Sequence, residues 1–146
     1  MRKNLIITFV IVLIASACQP QGGGPQITVE DAWGRSAPAA ATMGAFYMTV
    51  KNDGNEADRL MSVTSDACGM AEIHESYTMD NGSMGMRLVE GGLELPAGGS
   101  VELNVGGLHV MCMDKMADFA VGDTYNLTLV FEKSGTVEVE VEIREQ

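Results

Sequence analysis

Val137-Glu138-Val139-Glu140-Val141-Glu142-Ile143-Arg144 reads as a β-strand with one apolar and one charged face. Successive side chains of a strand point to opposite sides, so Val137, Val139, Val141 and Ile143 share a face meant for a core, while the three glutamates and Arg144 meet water. Working back from it, short runs of alternating or β-branched residues recur between Gly, Asn and Asp clusters. They predict further strands near Ile27–Arg35, Ala45–Lys51, Arg59–Thr64, Ala71–Tyr77, Met84–Val89, Ser100–Val105, His109–Met113 and Tyr125–Glu132. Asp80-Asn81-Gly82 is a strong hairpin signal. Pro96-Ala97-Gly98-Gly99, Gly106-Gly107 and Ser134-Gly135 mark other turns. Met116–Val121 could form one helical turn, and nothing else has helical periodicity. Nine short strands with frequent turns predict an all-β domain, an antiparallel Greek-key β-sandwich.

The chain has 146 residues, enough for one such domain. Its first 17 residues read as a signal peptide: Arg2 and Lys3, an apolar run from Leu5 to Ile14, then Ala15-Ser16-Ala17. The run is shorter than a spanning helix needs. Small residues directly before Cys18 resemble a bacterial lipobox, although Ala15 stands where Leu is usual; Cys18 is then the lipidated N-terminus, with an ordinary secretory signal as the alternative. Residues 18–26 read as a flexible tether and residues 27–146 as the folded domain. The expected localisation is extracytoplasmic and membrane-anchored.

Without the signal peptide, the nine basic residues become seven, against 20 acidic ones, a formal charge of −13. So acidic a chain is no candidate for nucleic acid, whose phosphates demand a basic surface. With Cys18 lipidated, Cys68 and Cys112 remain, and an oxidising compartment favours a disulfide between them over two buried thiols. Strand parity counted back from His74 puts Cys68 on the face away from Cys112, unless Gly69 introduces a bulge.

Methionine is the compositional anomaly. Excluding Met1 there are ten, and seven of them lie between Met70 and Met116, as do both histidines. Methionine commonly fills gaps in a core, but parity argues against that here. In Leu108-His109-Val110-Met111-Cys112-Met113, the histidine and two methionines share one face, and Val110 and Cys112 take the core side. His109 and Met111 stand about 7 Å apart at Cα, close enough to bend toward a common point. Ile73 likewise directs His74 outward, and Met84 and Met86 share a face of their own strand. Neutral, soft thioethers with imidazole suit Cu(I) much better than zinc, magnesium or calcium. Blue copper needs a cysteine ligand, and Cys112 faces the wrong way. His74, His109 and Met111 are therefore candidate Cu(I) ligands. Met84 and Met86 compete for a fourth place, which chemistry alone leaves open.

The spacing His74, eleven residues, Met86, twenty-two residues, His109-Val110-Met111 resembles the periplasmic copper chaperone family PCu(A)C. That family's pattern is His, eleven residues, Met, about twenty-one residues, His-x-Met. Ala32-Trp33-Gly34-Arg35, Gly44-Ala45-Phe46-Tyr47-Met48, Leu95-Pro96-Ala97-Gly98-Gly99 and Gly122-Asp123-Thr124-Tyr125-Asn126-Leu127 are also similar to it. The resemblance implies a cupredoxin-like fold and selects Met86 over Met84, so that His74, Met86, His109 and Met111 hold the metal. It implies a copper carrier whose acceptor is the copper centre of cytochrome c oxidase or a related copper protein. Two features depart from it: Glu75 stands where many relatives carry Met, and the Cys68–Cys112 pair is not general to the family.

No nucleophile–base pair or cofactor motif suggests an enzyme, so a non-catalytic binding protein is expected. The alternatives are copper buffering or resistance, and an adhesive β-sandwich that binds no metal.

Overall fold

The structure, a computed structural model, describes residues 23–145. The expected signal peptide and the candidate lipidation site Cys18 lie outside them, as does most of the expected tether. Ten strands follow in order: β1 (Ile27–Arg35), β2 (Met43–Asn52), β3 (Asp58–Ser65), β4 (Cys68–Thr78), β5 (Met84–Leu88), β6 (Leu93–Leu95), β7 (Gly99–Leu103), β8 (Leu108–Lys115), β9 (Thr124–Phe131) and β10 (Gly135–Arg144). No helix occurs among the described residues. Met116–Val121 is not a helical turn: Phe119 makes an isolated bridge to Ala37 and carries its ring into the core beside Phe46. β6 falls in a stretch where the sequence predicts no strand, because three residues are too few to display a period.

Hydrogen bonds link the strands in the order β5-β4-β8-β2-β1-β10-β9-β3-β6, with β7 also on β2. The path doubles back on itself, so that β3 packs against β4 and two layers enclose one core. Every pairing is antiparallel except β1 with β10, which run parallel from Trp33 opposite Glu142 to Arg35 opposite Arg144, so the sheet is mixed. Two strands so far apart in the chain are free to pair in parallel, since no tight hairpin constrains their direction.

The alternation of β10 is kept: Val141 and Ile143 are buried, and the glutamates between are exposed. Phe46, Ile73, Val110 and Cys112 from one layer face Leu60, Leu127, Leu129 and Val141 from the other within a single cluster. A side chain at Gly44 would start 2.3 Å from the Phe119 ring, so β2 must carry glycine where that ring enters. Asp58 anchors the turn after β9 to the start of β3, accepting hydrogen bonds from the Lys133 and Ser134 backbone and from the Ser134 hydroxyl.

Cys68 and Cys112 form a disulfide. The pairing of β4 with β8 keeps one count from His74 opposite His109 to Cys68 opposite Lys115, so Gly69 inserts no bulge. The strand instead turns Cys68 inward beside Asp114, which has φ 50°. At Gly69 a Cβ would lie 2.9 Å from that of Asp114. The bend brings the Cα atoms of Cys68 and Cys112 to 5.4 Å, with both residues buried.

Candidate metal centre

β4 and β8 place His74 and His109 directly opposite one another. Cross-strand partners share a face of the sheet, and this one is turned away from Ile73, Val110 and Cys112. The ring centroids are 6.1 Å apart, meeting edge to face at 63°. One step along β8, Met111 lies opposite Glu72; one step the other way along β4, Ser76 lies opposite Met86 of β5. The four residues singled out in the sequence thus fall on one face of three adjacent strands. Met84 shares the face but pairs with Thr78, one step further from the histidines than Met86.

The two imidazoles are held differently. His109 is buried, and its Nδ1 donates to the Gly107 carbonyl at 3.0 Å. That carbonyl also accepts from Ser76 N–H, tying β4 to the ring's support. A carbonyl can only accept, so Nδ1 carries the proton and Nε2 presents a lone pair. Tyr47, itself buried, packs its ring 6.4 Å from that of His109 and 4.7 Å from Trp33. His74 contacts the Glu72 carboxylate through Nε2 at 2.9 Å. With Nε2 donating to an ionised carboxylate, Nδ1 is left as the free donor atom.

Met84, Met86, His109 and Met111 line an open cleft together with Met43, Ala45 and Tyr47. His74 does not line the cleft itself; its ring lies 6.1 Å from that of His109, which does. Met84 and Met86 are each 58% exposed, far from the state of core fillers. Among the described residues there is no group of three or more His, Cys, Asp or Glu able to hold a metal. A cation here would need thioether sulfur, and that favours a soft ion.

Sequence reasoning missed Glu72, Tyr47 and the Gly107 carbonyl as supports of the histidines. Parity places Glu72 on the face of His74, two residues away, but does not show that the two side chains meet. Glu75 lies on the opposite face and pairs with Arg87 across β4 and β5, Oε2 to Nη2 at 2.6 Å. It braces the hairpin that carries Met84 and Met86.

This architecture, a two-layer β domain, is shared with solved PCuAC domains. The copper-bound PCuAC domain from PmoF2 superposes with a TM-score of 0.68 and 28% identity, over 82% of this chain and 93% of that one. "Apo PCuAC domain from PmoF1" gives 0.69 and 28%, over 82% and 94%. The Cu(I) form of DR1885 from Deinococcus radiodurans gives 0.63 and 25%, over 81% and 77%. The chain belongs to the family described as "Putative lipoprotein LpqE-like", whose model matches residues 27–143. It is 32% identical over 133 residues to "Putative lipoprotein Lxx21020" of Leifsonia xyli subsp. xyli, covering 91% of this chain and 78% of that protein.

Proposed function

We propose that the protein is an extracytoplasmic, membrane-anchored copper chaperone that carries one tightly held Cu(I) on His74, Met86, His109 and Met111. The observation that carries the reading is the His74–His109 register pair, flanked on the same face by Met111 and Met86. Two imidazoles and two neutral thioethers match Cu(I) in softness and hold it without a thiolate that oxidation could remove. The similarity to a copper-bound PCuAC domain and to Cu(I)-DR1885 supports it.

Cargo that must be handed on needs an accessible site. His109 is rigid and buried, whereas Met86 is exposed on the edge strand β5, so the sulfur side can be displaced first. The cleft, of about 540 Å³, has room for an acceptor's ligands as well as the ion. In this reading Glu72 orients His74, and Tyr47 and Gly107 orient His109; none of the three touches copper. The acceptor is a copper protein, with the copper centre of cytochrome c oxidase as its leading candidate, and Cys18 anchors the domain at the membrane by its lipid. The protein moves an ion and catalyses no reaction.

Competition titration with a Cu(I) chelator tests the assignment. One tight Cu(I), with Zn(II) and Cu(II) bound much more weakly, is expected; preference for zinc would overturn it.

A further inference from the structure

Beyond that site, we infer that Met43, Met70 and Met113 form a second, sulfur-only binding site for a soft monovalent cation, Cu(I) or Ag(I). Met113 of β8 is directly opposite Met43 of β2 on one side and Met70 of β4 on the other. The three thioethers therefore make a single row across three adjacent strands, on the face that carries His109 and Met111.

Their exposure excludes the ordinary role of methionine. Met43 is 55% and Met70 52% exposed, and Met113 between them is half-buried. The core behind this row is already filled by Cys112 and by Phe119 packed on Gly44. Two of these flexible apolar side chains are mostly in water and the third is partly so, where nothing in the core requires them.

The geometry suits a shared ion. Paired residues on neighbouring strands lie about 5 Å apart, so roughly 10 Å separates the outer two backbones. Methionine has three rotatable bonds, enough for both outer sulfurs to bend over Met113. A donor set of neutral thioethers without nitrogen or oxygen selects Cu(I) and Ag(I) and disfavours Cu(II) and Zn(II). With no imidazole, it binds more weakly than the His-bearing site. Met113 is two residues from Met111, about 7 Å along the strand. The two sites are thus consecutive positions on one sulfur-lined face, and the outer one can hold an ion arriving at or leaving the inner one.

Titration of the full chain with Ag(I), and with Cu(I) supplied from a chelator, tests this with two complementary variants. Leucine is nearly isosteric with methionine and none of the three residues is fully buried, so Met43→Leu/Met70→Leu/Met113→Leu keeps the fold, which an unchanged thermal midpoint verifies. The unsubstituted protein should take up two equivalents and the triple variant one. His109→Ala/Met111→Leu should retain one ion whose X-ray absorption shows sulfur neighbours alone. Saturation of the unsubstituted protein at one equivalent, two equivalents in the triple variant, or nitrogen around the ion left in the His109 variant would each overturn the site. The last variant tests it with two of the four proposed inner ligands removed.

Discussion

His74 and His109, thirty-five positions apart in the chain, are direct cross-strand partners on β4 and β8, with ring centroids 6.1 Å apart. The pair is the fixed part of the proposed centre. One ring is held by a backbone carbonyl and the other by a carboxylate, while Met84 and Met86 near them are exposed.

Loss of His109 should therefore be the most damaging single change. His109→Ala removes a preoriented donor and should lower Cu(I) affinity by more than about 100-fold, beyond what loss of a supporting hydrogen bond typically costs. Met113→Leu, on the same strand face, should leave the tight site unchanged. Chelator competition on both variants checks the contrast, and equal losses would contradict it.

Met86 and Met84 are equally exposed and line the same cleft, but Met86 is one pair nearer the histidines. Met86→Leu should lose a copper–sulfur contribution in X-ray absorption and Met84→Leu should keep it. The reverse result would reassign the ligand to Met84 and leave the copper function intact.

The Cys68–Cys112 bridge spans a sequence separation of 44 residues, worth about 4 kcal/mol in the chain-entropy account. Cys68→Ser/Cys112→Ser should lower unfolding stability by up to that amount in denaturant melts and leave Cu(I) stoichiometry unchanged. Free thiols in the native protein, detected by alkylation and mass spectrometry, would refute the bridge.

Asp58 should make the fold acid-sensitive. Burial by itself raises the pKa of this carboxyl, but the Ser134 hydroxyl and the backbone N–H groups of Lys133, Arg59 and Ser134 outweigh it, leaving the pKa below the ordinary value of 3.8. Between the folded and unfolded values the unfolded chain binds more protons, so this stabilisation is complete above about pH 4 and is lost as pH falls through the folded value. Asp58→Asn keeps the shape but puts an amide group where N–H donors need an acceptor. It should cost about 1–3 kcal/mol at neutral pH and flatten the acid limb of the stability profile.

Much of this protein was legible locally. The faces of β10 and β8 follow from a period of two, so the burial of Val141 and Ile143 and the shared face of His109, Met111 and Met113 could be read from the residues. Asn81-Gly82 likewise announced the β4–β5 hairpin, where Gly82 has φ 82°. Period alone tells which way a side chain points, not which strand lies beside it. That His74 meets His109 rather than another residue, that Met113 sits between Met43 and Met70, and that β1 runs parallel to β10 are long-range choices. They depend on how the two layers close over one core. The inward turn of Cys68 has the same origin, since it comes from the close approach of Gly69 to Asp114 on a neighbouring strand. The sequence determined the soft donors and their faces; tertiary packing decided their neighbours, because cross-strand register is set by the fit of the whole core and not by any one strand.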